Sequence, residues 1–238
     1  ILGAVAAATY GMNPLFALPL YENGMDTDSV LLFRYLFALP LLGVMLKARG
    51  RDFRLQRREI LPLIVLGLLV AVSSLTLFQS YHYMDAGIAS TLLFVYPILV
   101  ALIMAVAFKE KVTLQIMVFA SALSYALYIV GINRTVLKNV ATLKVTFYIL
   151  LSGLTLFFVR LDFGEHITVP DQWYLWGNLL ALAIFPTAIS FLCTTGAIQY
   201  IGSTPTAILG ALEPVTAVFF GVAVFGEPLT PRIGCGIA

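Results

Sequence analysis

The stretch from Ile60 to Tyr83, ILPLIVLGLLVAVSSLTLFQSYHY, decides the fold of this chain. It holds no acidic residue, lysine or arginine, and as a helix it is long enough to cross about 30 Å of hydrocarbon. The whole chain of 238 residues is 61% hydrophobic and only 11% charged, which excludes a water-soluble globular domain. Strands of a transmembrane barrel would be shorter and would alternate in polarity, so the sequence predicts an all-α integral membrane protein.

Similar apolar stretches lie on both sides of Ile60–Tyr83. The predicted spans are 1–20, 29–46, 60–83, 87–108, 116–132, 145–160, 173–199 and 204–225, with a partial ninth over 231–238.

The charged loops between these spans predict how the chain is oriented. Residues 47–59 contain six basic and two acidic residues, a net charge of +4, whereas residues 22–28 carry −3. The positive-inside rule therefore places loop 47–59 on the cytoplasmic side. In the second half the order of the charges is reversed, with +3 over 134–144 followed by −3 over 162–171.

Two internal matches at nearly the same offset indicate a duplication. Tyr83–Thr113 aligns without gaps on Tyr200–Thr230 with six identities in 31 positions, at an offset of 117. Ala7–Asn13 aligns on Ala122–Tyr128 at an offset of 115. We therefore predict two repeats, 1–115 and 116–238. Since their corresponding loops carry opposite charge, the repeats are expected to have inverted topology and to enclose a central cavity.

Four spans per repeat would leave both copies in the same orientation, which contradicts the loop charges. An odd number is needed, so we expect ten spans in the natural protein, with the fifth absent between Gln115 and Ile116 and most of the tenth absent after Ala238. The alternative is a complete chain that inserts in both orientations or against the charge rule.

Several motifs resemble those of the EamA-type drug/metabolite transporter family. They are Thr9–Asn13, Phe33-Arg34-Tyr35, Tyr96-Pro97 with Glu110–Thr113, Ala122–Ala126, and Glu213-Pro214 with Gly226–Thr230. The resemblance implies a ten-helix fold of two five-helix inverted repeats. It further implies a secondary transporter of a bacterial-type inner membrane, often an exporter of small metabolites, with both termini cytoplasmic.

Three ionisable residues within the spans are candidates for coupling or gating, because charge inside hydrocarbon is costly. Glu213 could carry a proton or contact the solute, or it could satisfy backbone groups that Pro214 leaves free. Arg34 could hold a solute carboxylate, although anchoring to headgroups or to an acidic outer loop is the preferred interpretation. His82 is interpreted as a hydrogen-bonded interfacial residue rather than a proton relay. Pro97 and Pro214 form a matched pair of helix interruptions and are further gating candidates.

A second group of residues predicts a solute pocket with flat aromatic walls and a few hydrogen-bonding groups. The resemblance implies that some of them lie on helices that pack together: Tyr10, Asn13, Tyr96, Ser124, Tyr125 and Tyr128. The others, Thr187, Ser190 and Thr194, share one face of span 173–199 at steps of three and four. Such a pocket suits small amphipathic or zwitterionic solutes and, through the tyrosine faces, cations.

The leading functional prediction is secondary active transport by alternating access. A hydrolase would need a nucleophile with a base or a set of metal ligands, and an ATP-driven pump would need a phosphate-binding loop; the sequence shows no motif for either. We therefore expect no catalytic residue, no metal site, no cofactor and no nucleic-acid partner. The expected partners are a small-molecule substrate, the lipid bilayer and protons as a candidate coupling ion. A channel or a non-transporting membrane sensor is the alternative.

Overall fold

The computed structural model describes residues 1–84, 89, 92, 93, 95 and 116–226, and this part of the chain is helical without β-strands. The helices are α1 (Leu2–Tyr10), α2 (Asn13–Glu22), α3 (Thr27–Ala48), α4 (Arg57–Ser80), α5 (Ile116–Arg134), α6 (Thr142–Arg160), α7 (Trp173–Ala183), α8 (Ser190–Ile201), α9 (Ser203–Leu209) and α10 (Leu212–Phe225). A π-helical turn, Ile184–Ile189, joins α7 to α8.

Five of the spans predicted from sequence correspond to helical stretches that are long and apolar enough to cross a membrane. They are Thr27–Ala48, Arg57–Ser80, Thr142–Arg160, Trp173–Ile201 and Ser203–Phe225. Local signals set the ends of the helices: the side chain of Asp26 caps α3 by accepting from the Ser29 amide at 2.9 Å. A capping box between Gln56 and Glu59 starts α4. Helix α4 ends at Ser80, three residues before its predicted end, because the chain turns there and the Tyr83 amide bonds to the Ser80 carbonyl at 3.0 Å.

The exposed face of α4 shows which surface meets lipid. Its large exposed side chains recur at helical spacing along one stripe: Leu61, Ile64, Val65, Leu68 and Val72. The opposite face buries small residues. A Cβ added to Gly67 there would lie 2.6 Å from the Ile149 carbonyl oxygen, so α4 and α6 pack almost backbone to backbone. Apolar residues outside and small residues between helices are the arrangement expected in a bilayer.

Contacts at the two ends of α3 and α6 show that the repeats are inverted. Arg160, at the end of α6, pairs with Asp28, at the start of α3, at 2.7 Å. At the opposite ends, the Tyr148 hydroxyl donates to the Phe53 carbonyl at 2.6 Å, and Lys144 donates to the Arg54 carbonyl. Helices α3 and α6 are the second spans of the two repeats, and they run antiparallel. Both basic loops therefore lie on one face of the protein, and both acidic loops lie on the other.

Helices α4 and α5 are also antiparallel. The Ser73 hydroxyl donates to the Ser121 carbonyl at 3.0 Å near one end, and Gly131 packs on Leu66 toward the other. The end of α4 and the start of α5 consequently lie at the same face. The described residues do not include the chain leading to Ile116, the predicted span 231–238, Tyr96 or Pro97. Of the predicted span 87–108 they include only isolated positions.

Candidate functional site

Three interrupted helices, taken from both repeats, meet at the seam between them. The first span breaks at Gly11–Met12, between α1 and α2, and a later span breaks at Gly210–Ala211, between α9 and α10. The π turn with Pro186 interrupts the span formed by α7 and α8. A Cβ on Gly11 would lie 2.5 Å from the Glu213 carbonyl oxygen, and the Ser190 hydroxyl donates to the Ala6 carbonyl at 3.0 Å. Interrupted helices of this kind line solute sites in secondary transporters, and π turns recur at functional sites.

A cluster of four aromatic rings fills the centre of this seam. Tyr10 stacks on Tyr125 with ring centroids 5.7 Å apart and planes 17° apart, and Tyr125 stacks on Tyr128 at 5.7 Å. Phe191 packs edge-on against Tyr10 and Tyr128. The offset of 115 residues makes Tyr10 and Tyr125 equivalent positions in the two repeats. Their stack therefore marks the approximate two-fold axis that relates the repeats.

Arg34 lies in the protein interior beside this cluster, which corrects the prediction that it anchors α3 at the membrane surface. Its side chain is completely buried, and it donates to the Thr187 hydroxyl and, at 3.2 Å, to the Pro186 carbonyl of the π turn. The guanidinium carbon lies 5.0 Å from the centre of the Phe78 ring and 5.9 Å from that of Tyr10. Its Nη1 atom is buried, and the described part of the chain offers it no hydrogen-bond partner. Arg34 lies seven residues after the start of α3, about 10 Å along the helix axis. From that depth the side chain could reach either the membrane surface or the protein interior, and in the structure it points to the interior.

Glu213 is a second buried ionisable residue at the seam. It is only 6% exposed and lies in the first turn of α10, directly after the break at Gly210–Ala211. A carboxylate in the first turn of a helix is stabilised by the partial positive charge of the free amide groups there. Glu213 also lines both of the small cavities in the seam.

Two small cavities border the aromatic cluster, one at Tyr125 and the other at Tyr10, and the space inside each, about 10 Å³, is room for about one water molecule. The first is bordered by α1, α5, α8 and the α9–α10 break, and includes Tyr125 and Thr194; the second includes Tyr10, Asn13 and Tyr81. Asn13 is 1% exposed, and among the described residues neither polar atom of its amide group has a hydrogen-bond partner. The two cavities that the described residues form at the seam are therefore too small for an organic solute, and a buried polar side chain borders one of them.

The remaining predicted pocket residues in the described part of the chain are buried around this seam: Ser124, Thr187, Ser190 and Thr194. Three further polar residues at the seam were not predicted from the sequence: Ser74, Thr146 and Thr195. The Thr195 hydroxyl bonds to Tyr128 at 3.2 Å and accepts from Thr146 at 3.4 Å, and Ser74 bonds to Tyr35 at 3.1 Å. Thr195 follows Thr194 directly, so its role could not be distinguished by spacing alone.

His82 lies apart from the seam. It is exposed after the end of α4, where its Nε2 lies 3.0 Å from the Thr27 hydroxyl and its ring centre 4.4 Å from that of Tyr21. This is the environment of a hydrogen-bonded residue at the end of a span.

Comparisons with known proteins agree with the two-repeat architecture. A sequence model of the EamA-like transporter family matches the chain twice, over residues 1–120 and 114–238. An uncharacterized transporter of Archaeoglobus fulgidus is 27% identical, over 87% of this chain and 81% of its own. A crystal structure that is 17% identical in sequence superposes with a TM-score of 0.73, covering 99% of this chain and 92% of the other, and shows the fold alone.

Proposed function

This chain belongs to the EamA-like transporter family and is a multi-pass membrane transporter, and from that premise we propose that it exports small amphipathic metabolites, amino acids among them, by alternating access. The observation that carries the proposal is the meeting of three interrupted helices around two buried ionisable residues, Arg34 and Glu213. Burying such groups within the membrane is energetically costly. We therefore infer that they act on a solute, an ion or a moving part of the protein.

The chemistry of the seam favours a zwitterionic solute. Arg34 has a buried Nη1 donor without a partner, which suits a carboxylate because guanidinium–carboxylate hydrogen bonds are charge-assisted. Glu213 and the faces of Tyr10 and Tyr125 suit an ammonium group. In this proposal the walls of the site and its further hydrogen bonds come from the other predicted pocket residues: Asn13, Tyr96, Ser124, Tyr128, Thr187, Ser190 and Thr194.

The close helix contacts at the seam support motion of one repeat against the other. Among the described residues, the two seam cavities each hold about one water molecule, so a larger solute enters them only when α1 separates from α9 and α10, which now meet at Gly3, Gly11 and Glu213. The helix breaks at Gly11–Met12 and Gly210–Ala211 are the proposed hinges, with Pro97 and Pro214 as the matched gating pair. In the coupling hypothesis Glu213 takes up a proton on one side of the membrane and releases it on the other. Arg34 and His82 are the further gating residues of this proposal, and their contacts are expected to change when the seam opens.

The proposed location is a bacterial-type cytoplasmic membrane, with the repeat boundary between Gln115 and Ile116. The two basic loops on one face support a cytoplasmic position for that face and for both termini of the intact protein.

Solute flux into reconstituted vesicles tests the function. We expect uptake of an amino acid that is accelerated by an imposed proton gradient. In Glu213→Gln, gradient-driven uptake is lost while solute exchange across the membrane at equal pH remains. Full gradient-driven uptake in Glu213→Gln contradicts the coupling role, and absence of flux for every amphipathic solute in the wild type contradicts transport.

Arg34 is tested by comparing an amino acid with its decarboxylated amine. Arg34→Gln is expected to weaken competition by the amino acid about tenfold and to leave competition by the amine unchanged, because only the carboxylate loses a charge-assisted bond. Arg160→Gln removes a partly exposed arginine far from the seam and serves as the matched control. Equal weakening for both compounds would assign Arg34 a structural role instead.

A further inference from the structure

An open basic cavity lies on the face of the protein that carries the basic loops. Its volume is about 700 Å³, and it lies between the two repeats. Arg49 and Arg51 reach it from the loop between α3 and α4 of the first repeat, and Lys138 and Asn139 reach it from the connection between α5 and α6 of the second. Among the described residues that line it, none is acidic, and none of the three cations forms an ion pair within the described part of the chain.

The wall that the second repeat contributes is held in place by hydrogen bonds. The amide nitrogen of Gln199 donates to the carbonyls of Leu137, at 3.0 Å, and Val140, at 2.8 Å, and its oxygen accepts from the Thr142 hydroxyl at 2.5 Å. These bonds join the end of α8 to the start of α6. Within the described residues no side chain caps α6, so its first amide groups, those of Thr142 and Leu143, have no capping acceptor at the cavity wall.

The cavity lies at the ends of membrane-spanning helices, the level at which lipid headgroups are expected. It lies where α3 ends, α6 begins and α8 ends, and Tyr200 on its rim is 82% exposed. Tyrosines are enriched at this level, and basic recesses between transmembrane helices on the cytoplasmic side attract anionic headgroups.

The geometry points to a phosphate-binding site between the repeats, formed by the guanidinium groups of Arg49 and Arg51, the Lys138 ammonium and the first turn of α6. Its ligand is a phosphate group, either the phosphodiester of an anionic lipid or a free phosphate anion from the aqueous side. Because the two arginines and the lysine come from different repeats, the occupant bridges the repeats and stabilises the conformation in which these loops approach. The inference is independent of the solute site.

Thermal unfolding of the purified protein tests this site in two arms. The protein is placed in nanodiscs of phosphatidylcholine with or without phosphatidylglycerol, and in detergent titrated with inorganic phosphate. Stabilisation by phosphatidylglycerol alone identifies a lipid headgroup, and stabilisation by inorganic phosphate identifies a free anion. An unchanged Tm in both arms overturns the proposal.

Paired charge removals separate a defined site from general attraction to a basic surface. The double variant Arg49→Ala/Arg51→Ala is expected to weaken the phosphate effect at least about tenfold. Arg57→Ala/Arg58→Ala removes the same charge from exposed residues of the same face outside the cavity, and it should retain most of the effect. Equal losses in both double variants, or no loss in either, overturn the proposal. If the first pair does not fold in phosphatidylcholine, Lys138→Ala against Lys47→Ala applies the same criterion.

Discussion

Replacing Gly11 with alanine tests the close contact on which the proposed hinge depends. Gly11 ends α1 with φ −61° and ψ −11°, an ordinary right-handed conformation, so glycine is not needed there for its backbone freedom. Glycine is needed at this position because the neighbouring helix α10 leaves too little room for a side chain. An added Cβ would lie 2.5 Å from the Glu213 carbonyl oxygen and 2.7 Å from the Thr216 Cβ, both fixed parts of α10.

The expected cost follows from that overlap. Neither obstacle is the end of a flexible side chain, so α1 and α10 must separate by about 1 Å, and overpacking of this kind costs about 2 kcal/mol. For a chain of this size that corresponds to a decrease in Tm of about 4 to 8 °C. Because the separation occurs at a helix break beside Glu213, the variant should also transport more slowly than the wild type.

Gly177→Ala is the matched control, since Gly177 lies inside α7 with no atom within 4 Å of the added Cβ. The same substitution should stabilise there by about 0.5 to 1 kcal/mol through helix propensity. Both proteins are unfolded thermally in the same detergent, and solute uptake is measured in parallel. A Gly11→Ala protein as stable as the wild type, measured beside a stabilised Gly177→Ala protein, would refute the close packing of α1 on α10.

Three further outcomes are expected. With the native cysteines replaced by alanine, a membrane-impermeant maleimide should label Asp52→Cys, in the basic loop of the first repeat, and Asn139→Cys, in the basic loop of the second, from the same side of the membrane; labelling of the two from opposite sides would contradict the inverted repeats. Tyr125→Ala should weaken apparent solute affinity about threefold to tenfold more than Tyr125→Phe, because phenylalanine preserves the stack on the equivalent ring; equal effects would remove the stack from the solute site. Arg160→Gln breaks a pair whose side chains are 43% and 18% exposed, and it should lower the free energy of unfolding by at most about 1 kcal/mol without changing flux; a larger loss, measured by chemical unfolding, would make Arg160 a structural residue of the acidic face.

The polar residues of the seam were largely predictable from sequence. Tyr10, Tyr125 and Glu213 were identified because polar or ionisable groups are uncommon in apolar spans, and the internal repeat paired the two tyrosines in advance. The π turn at Pro186, the Arg34–Thr187 hydrogen bond and the role of Thr195 were not predictable. Each depends on which neighbour a helix meets, and a proline in a span is compatible with a kink, a π turn or an uninterrupted helix, as Pro40 in α3 shows.

Hydropathy and loop charge are properties of consecutive residues, so the sequence by itself determined the membrane class, the approximate limits of the spans, the duplication and its inversion. The rotation of each helix about its axis was decided only by the tertiary structure. In a soluble protein the apolar stripe of a helix shows which face is buried, but here lipid and protein interior are both apolar, and between Val30 and Leu46 the only charged residue of α3 is Arg34. Whether that arginine faced lipid headgroups or the seam therefore depended on packing against the second repeat.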